Sequence, residues 1–166
     1  MTLPSSGPIS MSQMRNEYGL SNPVSMSQFY GKPGIASSGP LAFSSFYGKS
    51  NYIDRQTVTV GQWYSAPYTL YGYSKGFGGA ISDGISDIYA KEVTQIRWSN
   101  ISNQLIFSLG SLATNSGWSK MVVGTTVLDR AAATYSTSGN ASWWLWSGVA
   151  NPFGGVGSQT LVGFIQ

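Results

Sequence analysis

The sequence predicts a mainly β protein, with an antiparallel β-sandwich or jelly-roll-like domain over residues 53–166 and an extended arm of short capped helical turns over residues 1–52. Short β-prone runs separated by Gly, Asn and Ser recur through the C-terminal part, as is typical of sandwiches. Residues 57–60, "TVTV", alternate with period two, the pattern of a half-buried strand. The N-terminal part instead repeats one short motif three times, which separates it from the domain that follows.

The β-prone runs succeed one another along the C-terminal domain. The clearest hairpin lies within residues 93–110, because Ile96 and Trp98 share one face of its first strand and Leu105 and Phe107 share one face of the return strand. Further strands are predicted at residues 57–60, 68–73, 121–123, 125–128, 132–136, 142–147 and 159–165. The glycine-rich residues 75–87 predict a surface loop. Outside the arm, residues 85–91 are the remaining helix candidate.

Each N-terminal repeat carries signals for the start and the end of a helix. "SMSQ" at residues 10–13 and again at 25–28 fits the Ser-x-x-Gln capping box, whereas "AFSS" at 42–45 lacks it and predicts the weakest start. An apolar staple accompanies all three copies: Ile9 with Met14, Val24 with Phe29, and Leu41 with Phe46. Each copy closes on Tyr-Gly, which suits a left-handed helix end. The motif therefore predicts three short capped turns.

Helices shorter than about 12 residues are not stable alone in water, so the repeats need a surface to pack on. We expect that surface to come from other subunits or from the C-terminal domain. A self-contained lobe of three repeats is the alternative, less favoured because Gly, Pro and Ser separate the copies. The predicted docking residues are Ile9, Met11, Met14, Tyr18, Val24, Met26, Phe29, Tyr30, Leu41, Phe43, Phe46 and Tyr47.

Charge and composition narrow the range of partners. Only 9% of the residues are charged, and the net charge of +3 comes from scattered side chains rather than from a basic patch, which argues against nucleic acid. No apolar run is long enough for membrane insertion. A polar surface with so few charges is poorly protected against association. We therefore expect a homo-oligomer, with a trimer favoured.

Catalysis and metal binding find little support. The chain has neither His nor Cys, which excludes Ser-His-Asp triads, Cys-His dyads and the usual zinc ligands. A glycosidase pair could use two of its carboxylates, Glu17, Asp54, Asp83, Asp87, Glu92 and Asp129. Loop caps and surface ion pairs explain them more simply, and Asp83 and Asp87 depart from the EF-hand spacing. No enzyme activity, cofactor or metal is expected.

One strand is unusually rich in tryptophan. Alternation places Trp143 on one face and Trp144 with Trp146 on the other, so one face belongs to the core. The second face could stack on a sugar ring or pack on a neighbouring subunit, or the strand could be covered on both sides. Arg130, beside Asp129, is expected to form a buried ion pair.

The repeats "SGPISMSQMRNEYG", "NPVSMSQFYGK" and "SGPLAFSSFYGKSN" resemble the Ser-Gly-Pro-Ile-Ser tandem of tailed-bacteriophage virion proteins. The stretches "VTQIRWSNISNQLIFSLG" and "WWLWSGVANPFG" are similar to a small β-sandwich that recurs in phage structural proteins. This resemblance implies a non-enzymatic tail or tail-fibre protein that assembles in the host cytoplasm, is located in the virion, and docks on other virion proteins through its repeats.

Two alternatives to a tail protein stay open. The chain could be a capsid decoration or cement protein. It could also be a carbohydrate-binding module that recognises a host-surface glycan through the tryptophan strand.

Overall fold

The structure is a computed structural model that describes residues 3–32, 35–49 and 52–166. Strands take up 42% of the chain and helices 12%, which confirms the mainly β class. The chain divides into two compact units, one of residues 1–53 with Gln166 and one of residues 54–165. We refer to them as the three-repeat unit and the β-sandwich.

The three-repeat unit contains three short helices, one in each repeat. They are the α-helix α1 (Met11–Tyr18) and the 3₁₀ helices η1 (Met26–Phe29) and η2 (Phe43–Phe46). The first start is a complete capping box, because Ser10 Oγ accepts from the Gln13 amide at 3.2 Å and Gln13 Oε1 accepts from the Ser10 amide at 2.7 Å. All three helices begin at the residue after the predicted cap position.

The third repeat keeps part of the box although its sequence departs from the pattern. Ser45 Oγ accepts from the backbone amide of Ala42 at 3.3 Å, as Gln28 Oε1 does from the amide of Ser25 at 3.0 Å. Ala42 has no side-chain acceptor with which to return the bond, so half of the box is lost.

A buried cluster fills the centre of the three-repeat unit. Met14, Phe29 and Phe46, which occupy the same position in the three repeats, are each 0% exposed. The Phe29 and Phe46 rings meet edge to face at 5.1 Å, and the Tyr18 ring lies 5.7 Å from Phe29 in the same manner. This arrangement corrects the expectation of an extended arm with no core of its own. The apolar side chains of the three repeats are buried against one another. This is the arrangement expected for the alternative, a self-contained lobe of three repeats.

The strands of the C-terminal part form two sheets. In chain order the strands are β1 (Tyr52–Thr59), β2 (Gly61–Ser65), β3 (Tyr68–Ser74), β4 (Ala80–Ile81), β5 (Ile85–Ser86), β6 (Lys91–Ser99), β7 (Gln104–Leu109), β8 (Lys120–Val123), β9 (Thr126–Asp129), β10 (Thr134–Ser138), β11 (Ala141–Ser147) and β12 (Gln159–Ile165). The smaller sheet has the order β4-β1-β12-β8-β9. The larger has the order β10-β11-β7-β6-β3-β2, and β5 pairs with β6.

The predicted hairpin is the centre of the larger sheet. Strands β6 and β7 are antiparallel, with Ile96 opposite Phe107 and Trp98 opposite Leu105. Most other predicted strands also appear, within one or two residues of the expected ends. The helix candidate at residues 85–91 is wrong, because that segment begins with β5, which pairs with β6. A short 3₁₀ helix, Arg130–Ala132, delays the start of β10.

The core of the β-sandwich lies between the two sheets. The ring of Phe107 in the larger sheet packs 4.9 Å from that of Phe164 in the smaller one. Trp118 meets Phe164 edge to face at 5.1 Å, and Trp144 stacks on Phe107 at 5.2 Å. Such aromatic pairs contribute about 0.5–1.5 kcal/mol each beyond the area that they bury. Several of the aromatic side chains of the β-sandwich therefore pack between the two sheets.

Candidate docking and ligand-contact surfaces

Side-chain hydrogen bonds join the three repeats into a closed ring, and tyrosine hydroxyls make two of these links. The Tyr47 hydroxyl of the third repeat donates to the Gly7 carbonyl of the first at 2.7 Å. The Tyr30 hydroxyl of the second repeat donates to the Gly39 carbonyl of the third. Gly7 and Gly39 hold the same place in their Ser-Gly-Pro segments, so the two contacts are equivalent.

The link between the first and second repeats has a different chemistry. Arg15 Nη1 donates to the side-chain carbonyl of Asn22 at 2.9 Å. Asn22 stands where the other repeats have Gly7 and Gly39, and Arg15 belongs to the turn that lengthens the first helix. The same junction is thus bridged by an arginine instead of a tyrosine hydroxyl.

Backbone hydrogen bonds also join the repeats at equivalent positions. The Gly31 amide donates to the Ala36 carbonyl at 3.1 Å, and the Gly48 amide donates to the Pro4 carbonyl at 2.9 Å. The Leu3 amide in turn donates to the Lys49 carbonyl at 3.0 Å. The two ends of the unit are therefore paired with each other, and the ring needs no partner to close.

Leu3 and Ile35 are core residues that the sequence analysis missed. Both are buried in the central cluster. Each stands five residues before the proline of its repeat, in "LPSSGP" and "IASSGP". Extending the repeat by these positions would have revealed them.

The predicted docking residues separate into an inner and an outer set. Met14, Tyr18, Phe29 and Phe46 form the core, so they are unavailable to a partner. Partly buried residues pack against that core: Ile9, Met11, Val24, Met26 and Leu41. The exposed members are Tyr30, Phe43 and Tyr47, of which Phe43 has the most exposed side chain at 44%.

Met11, Met26 and Phe43 occupy one equivalent position, the first residue of each helix. Phe43 is 44% exposed, whereas Met11 and Met26 are half-buried and pack against the central cluster. We call these three residues the outer apolar set. Because the repeats close into a ring, the set presents similar side chains at three sites around it.

Burial also governs the ionisation of Tyr18. Loss of hydration in the cluster, together with the nearby Glu17 carboxylate, raises the pKa of Tyr18 to about 12. The phenol is therefore neutral at physiological pH and acts as a core ring.

The tryptophan strand contributes its main face to the core. Trp144 is completely buried, and its Nε1 donates to Asn115 Oδ1 at 2.8 Å. Trp146 is also buried, and its Nε1 donates to the Asp129 carbonyl at 2.8 Å. These two residues cannot contact a ligand. Trp143 lies on the opposite face and is half-buried, with its Nε1 enclosed and without a hydrogen-bond partner among the described residues.

The prediction of a buried ion pair at Arg130 is wrong. Arg130 donates to the backbone carbonyls of Trp118 and Asn115, and its guanidinium lies 5.9 Å from the Trp118 ring centre. Asp129 instead pairs with Lys120 on the exposed surface. Arg130 therefore anchors the segment before β8 to the start of β10.

The candidate carboxylates lie in different surroundings. Asp54 is buried and accepts from Ser86 Oγ at 2.6 Å and from Gln56 Nε2 at 3.3 Å. Burial raises the pKa of Asp54. Asp83 and Asp87 are exposed. Among residues 3–32, 35–49 and 52–166, no group of three or more acidic, His or Cys side chains could hold a metal ion.

Gln56 holds the glycine-rich loop in place. Its Oε1 accepts from the backbone amides of Asp83 at 3.2 Å and Gly84 at 3.4 Å, while its Nε2 donates to the Ile85 carbonyl at 2.8 Å. This buried amide side chain adds to the backbone pairing of β4 with β1, which also holds the segment. Asp83 therefore lies on an ordered backbone at the surface.

Within the part of the chain that the structure describes, no helix has the length and apolar character needed to cross a membrane. Comparisons with protein-family models, with curated protein sequences and with solved structures find no significant match to this chain.

Proposed function

We propose that this chain is a non-enzymatic structural protein of a tailed-phage virion, associated with the tail or a tail fibre. Its three-repeat unit docks on other virion subunits, and its β-sandwich projects from the docking point or pairs with copies of itself. The repeated Ser-Gly-Pro segments, which resemble those of phage virion proteins, support this proposal.

The observation that carries the proposal is the outer apolar set. Met11, Met26 and Phe43 stand at one equivalent position of all three repeats. Phe43 is 44% exposed, and Met11 and Met26 pack against the central cluster without being fully buried, so apolar surface remains at this position in every repeat. Interface cores are enriched in methionine and aromatic residues, which suits a docking surface.

The low charge of the chain favours the same function. Charged residues make up 9% of the sequence, compared with about 25% in typical soluble domains. Such a surface suits a protein that is held in an assembly with many copies of its neighbours. The pairing of sandwiches, with a trimer favoured, follows from the same consideration.

Incorporation into particles tests the docking function. The triple variant Met11→Ser, Met26→Ser and Phe43→Ser removes the outer apolar set and retains the buried residues of the central cluster. Because Met11 and Met26 pack against that cluster, limited proteolysis of the purified variant checks that the three-repeat unit stays folded. Its copy number per purified particle is measured by quantitative mass spectrometry against the unaltered chain. We expect incorporation to fall at least tenfold.

The matched control removes three exposed apolar side chains from the β-sandwich: Leu112→Ser, Val127→Ser and Val156→Ser. This control should be incorporated normally. Equal incorporation of both triple variants would contradict docking through the outer apolar set. Electron microscopy of labelled particles separates a tail position from that of a capsid decoration protein, because the label then lies on the tail or over the head.

A further inference from the structure

A small pocket opens on the face of the larger sheet that points away from the core. Ile96 and Trp98 of β6 are buried between the sheets, so the alternating residues Gln95 and Arg97 point to the other face. These two residues, with Leu70 of β3, line a pocket of about 230 Å³. Its remaining wall comes from β2 and from the loop after β3.

Arg97 brings an uncompensated positive charge to this pocket. Its guanidinium is largely withdrawn from water, and this burial lowers its pKa. Arginine stays charged in proteins nonetheless. Two acidic side chains are paired elsewhere, Glu92 with Lys75 and Asp129 with Lys120, and no described carboxylate forms an ion pair with Arg97.

Among the described residues, the two terminal nitrogens of the Arg97 guanidinium make no hydrogen bond, and its Nε makes one. Arg97 Nε donates to Gln95 Oε1 at 2.6 Å, a bond that restrains the side chain. Arginine binds carboxylates through two parallel hydrogen bonds when both nitrogens of one edge are free. Folding that buries a restrained and unpaired guanidinium costs free energy, and a bound anion would offset this cost.

Aromatic side chains form the wall of the pocket. Trp63 comes from β2, where its pairing with Leu70 places it on the Arg97 face of the sheet, and Phe77 comes from the loop. Phe77 is 75% exposed although it is large and apolar. Flat exposed rings beside hydrogen-bonding groups suit a ligand that has both an apolar face and hydroxyls.

The aromatic wall is held in position by the backbone of the loop. The Ser74 amide donates to the Gly78 carbonyl at 2.8 Å, and the Phe77 amide donates to the Ser74 carbonyl at 3.1 Å. A Cβ atom on Gly78 would lie 2.8 Å from the Trp63 ring, so only glycine allows this close approach. The rings are therefore presented by a turn of defined geometry.

We propose that this pocket binds one carboxylated sugar residue, with the carboxylate on Arg97 and the sugar ring against Trp63 and Phe77. Its volume is below the roughly 300–1,000 Å³ of sites for drug-sized ligands, which suits a single ring. Gln95 and Ser65 offer neutral hydrogen-bonding groups for hydroxyls. The site deepens the proposed function and rests on it for the source of the sugar, a glycan of the host surface.

Binding is measured by isothermal titration with the purified full-length chain. The probes are sialyllactose and trigalacturonate, which carry carboxylated sugars, with lactose as the neutral control and inorganic phosphate as the simple anion. We expect at least one acidic saccharide to bind at least tenfold more tightly than lactose and phosphate. Equal binding of phosphate would reduce the pocket to a general anion site and overturn the proposal, as would no binding of either acidic saccharide.

Variants assign the binding to this pocket. Arg97→Gln should weaken acidic saccharide binding at least tenfold, since hydrogen bonds to charged groups contribute about 1.5–3 kcal/mol. Phe77→Ala alters an exposed residue and should weaken it several-fold without unfolding the sheet. Lys120→Gln removes the same charge from the other sheet and should leave binding unchanged. Unchanged binding in Arg97→Gln and Phe77→Ala would overturn the proposal.

The binding assay and the particle assay fail independently. Saccharide binding is measured on the purified chain and does not depend on incorporation into virions. A chain that binds acidic saccharides but never enters particles would keep the pocket and remove the virion function. A chain that enters particles but binds no acidic saccharide would keep the virion function and remove the saccharide-binding pocket.

Discussion

The hydroxyl of Tyr47 donates a hydrogen bond of 2.7 Å to the carbonyl of Gly7, which lies forty positions earlier in the chain. This bond joins the third repeat to the first. Together with the Leu3 and Gly48 amides, it converts a linear array of three repeats into a ring. A closed ring buries the apolar residue of each repeat against the other two.

Removing the Tyr47 hydroxyl should loosen the ring without unfolding it. In Tyr47→Phe the ring closure loses one hydrogen bond, worth about 0.5–1.5 kcal/mol and nearer the lower value at a partly exposed site. Amide hydrogen exchange of the full chain at Gly48 should report an opening free energy reduced by this amount. Tyr64→Phe in the β-sandwich is the matched control, and an equal effect of both substitutions would argue against the ring contact.

Truncating the central cluster should unfold the three-repeat unit and spare the β-sandwich. Phe29→Ala removes a fully buried ring, a change that costs about 3–5 kcal/mol in protein cores. Limited proteolysis of the full chain should then cleave within residues 3–49 and leave a resistant C-terminal fragment. Phe43→Ala, at an exposed ring of the same unit, should leave the cleavage pattern unchanged. Resistance of Phe29→Ala to cleavage would mean that the cluster contributes little.

Trp144 should be a principal determinant of sandwich stability. Its ring packs on Phe107 and Tyr89, and its Nε1 bonds Asn115. We expect Trp144→Ala to lower the free energy of unfolding by about 3–5 kcal/mol in urea titrations. Val127→Ala, at an exposed strand position, should change it by less than about 0.5 kcal/mol. A small effect of Trp144→Ala would contradict a core role for this face of β11.

The buried Asp54 should make the sandwich less stable as pH rises. Its pKa is raised above the ordinary value of 3.8, so the folded protein binds the proton more tightly than the unfolded chain does. The resulting stabilisation is complete below the unfolded pKa and is lost as pH rises through the folded pKa.

Asp54→Asn should remove this contribution. The amide can still accept from Gln56 and donate to the Ser86 hydroxyl. Urea titrations between about pH 4 and pH 8 should therefore show a flatter stability profile in the variant than in the unaltered chain. Asp83→Asn, at an exposed carboxylate of the loop, should reproduce the unaltered profile. Identical profiles for Asp54→Asn and the unaltered chain would rule out a contribution from this carboxyl group.

Local patterns allowed much of the secondary structure to be predicted. Alternation identified the β6–β7 hairpin, because its apolar residues face one core. The serine and glutamine spacing located the helix starts, since a capping box acts within four residues. These features depend on neighbours in sequence, which is why a sequence reveals them.

The closed ring and the pocket depend on contacts between distant segments. Nothing adjacent to Tyr47 indicates that its hydroxyl reaches Gly7. Alternation assigned Trp143 and Trp144 to opposite faces of β11, but only the packing of Phe107 and Phe164 decides which face is core. Arg97 gave no local signal either, because its pocket combines β2, β3, β6 and a loop.

Hydrogen exchange of the purified, unassembled chain tests the self-closed ring most directly. The Leu3, Gly31 and Gly48 amides all bond across the ring to other segments. The account predicts that these three amides are protected in the absence of any partner and that they lose protection together in Phe29→Ala. Exchange at the rates of an unfolded chain in the free protein, with protection appearing only after assembly, would contradict it.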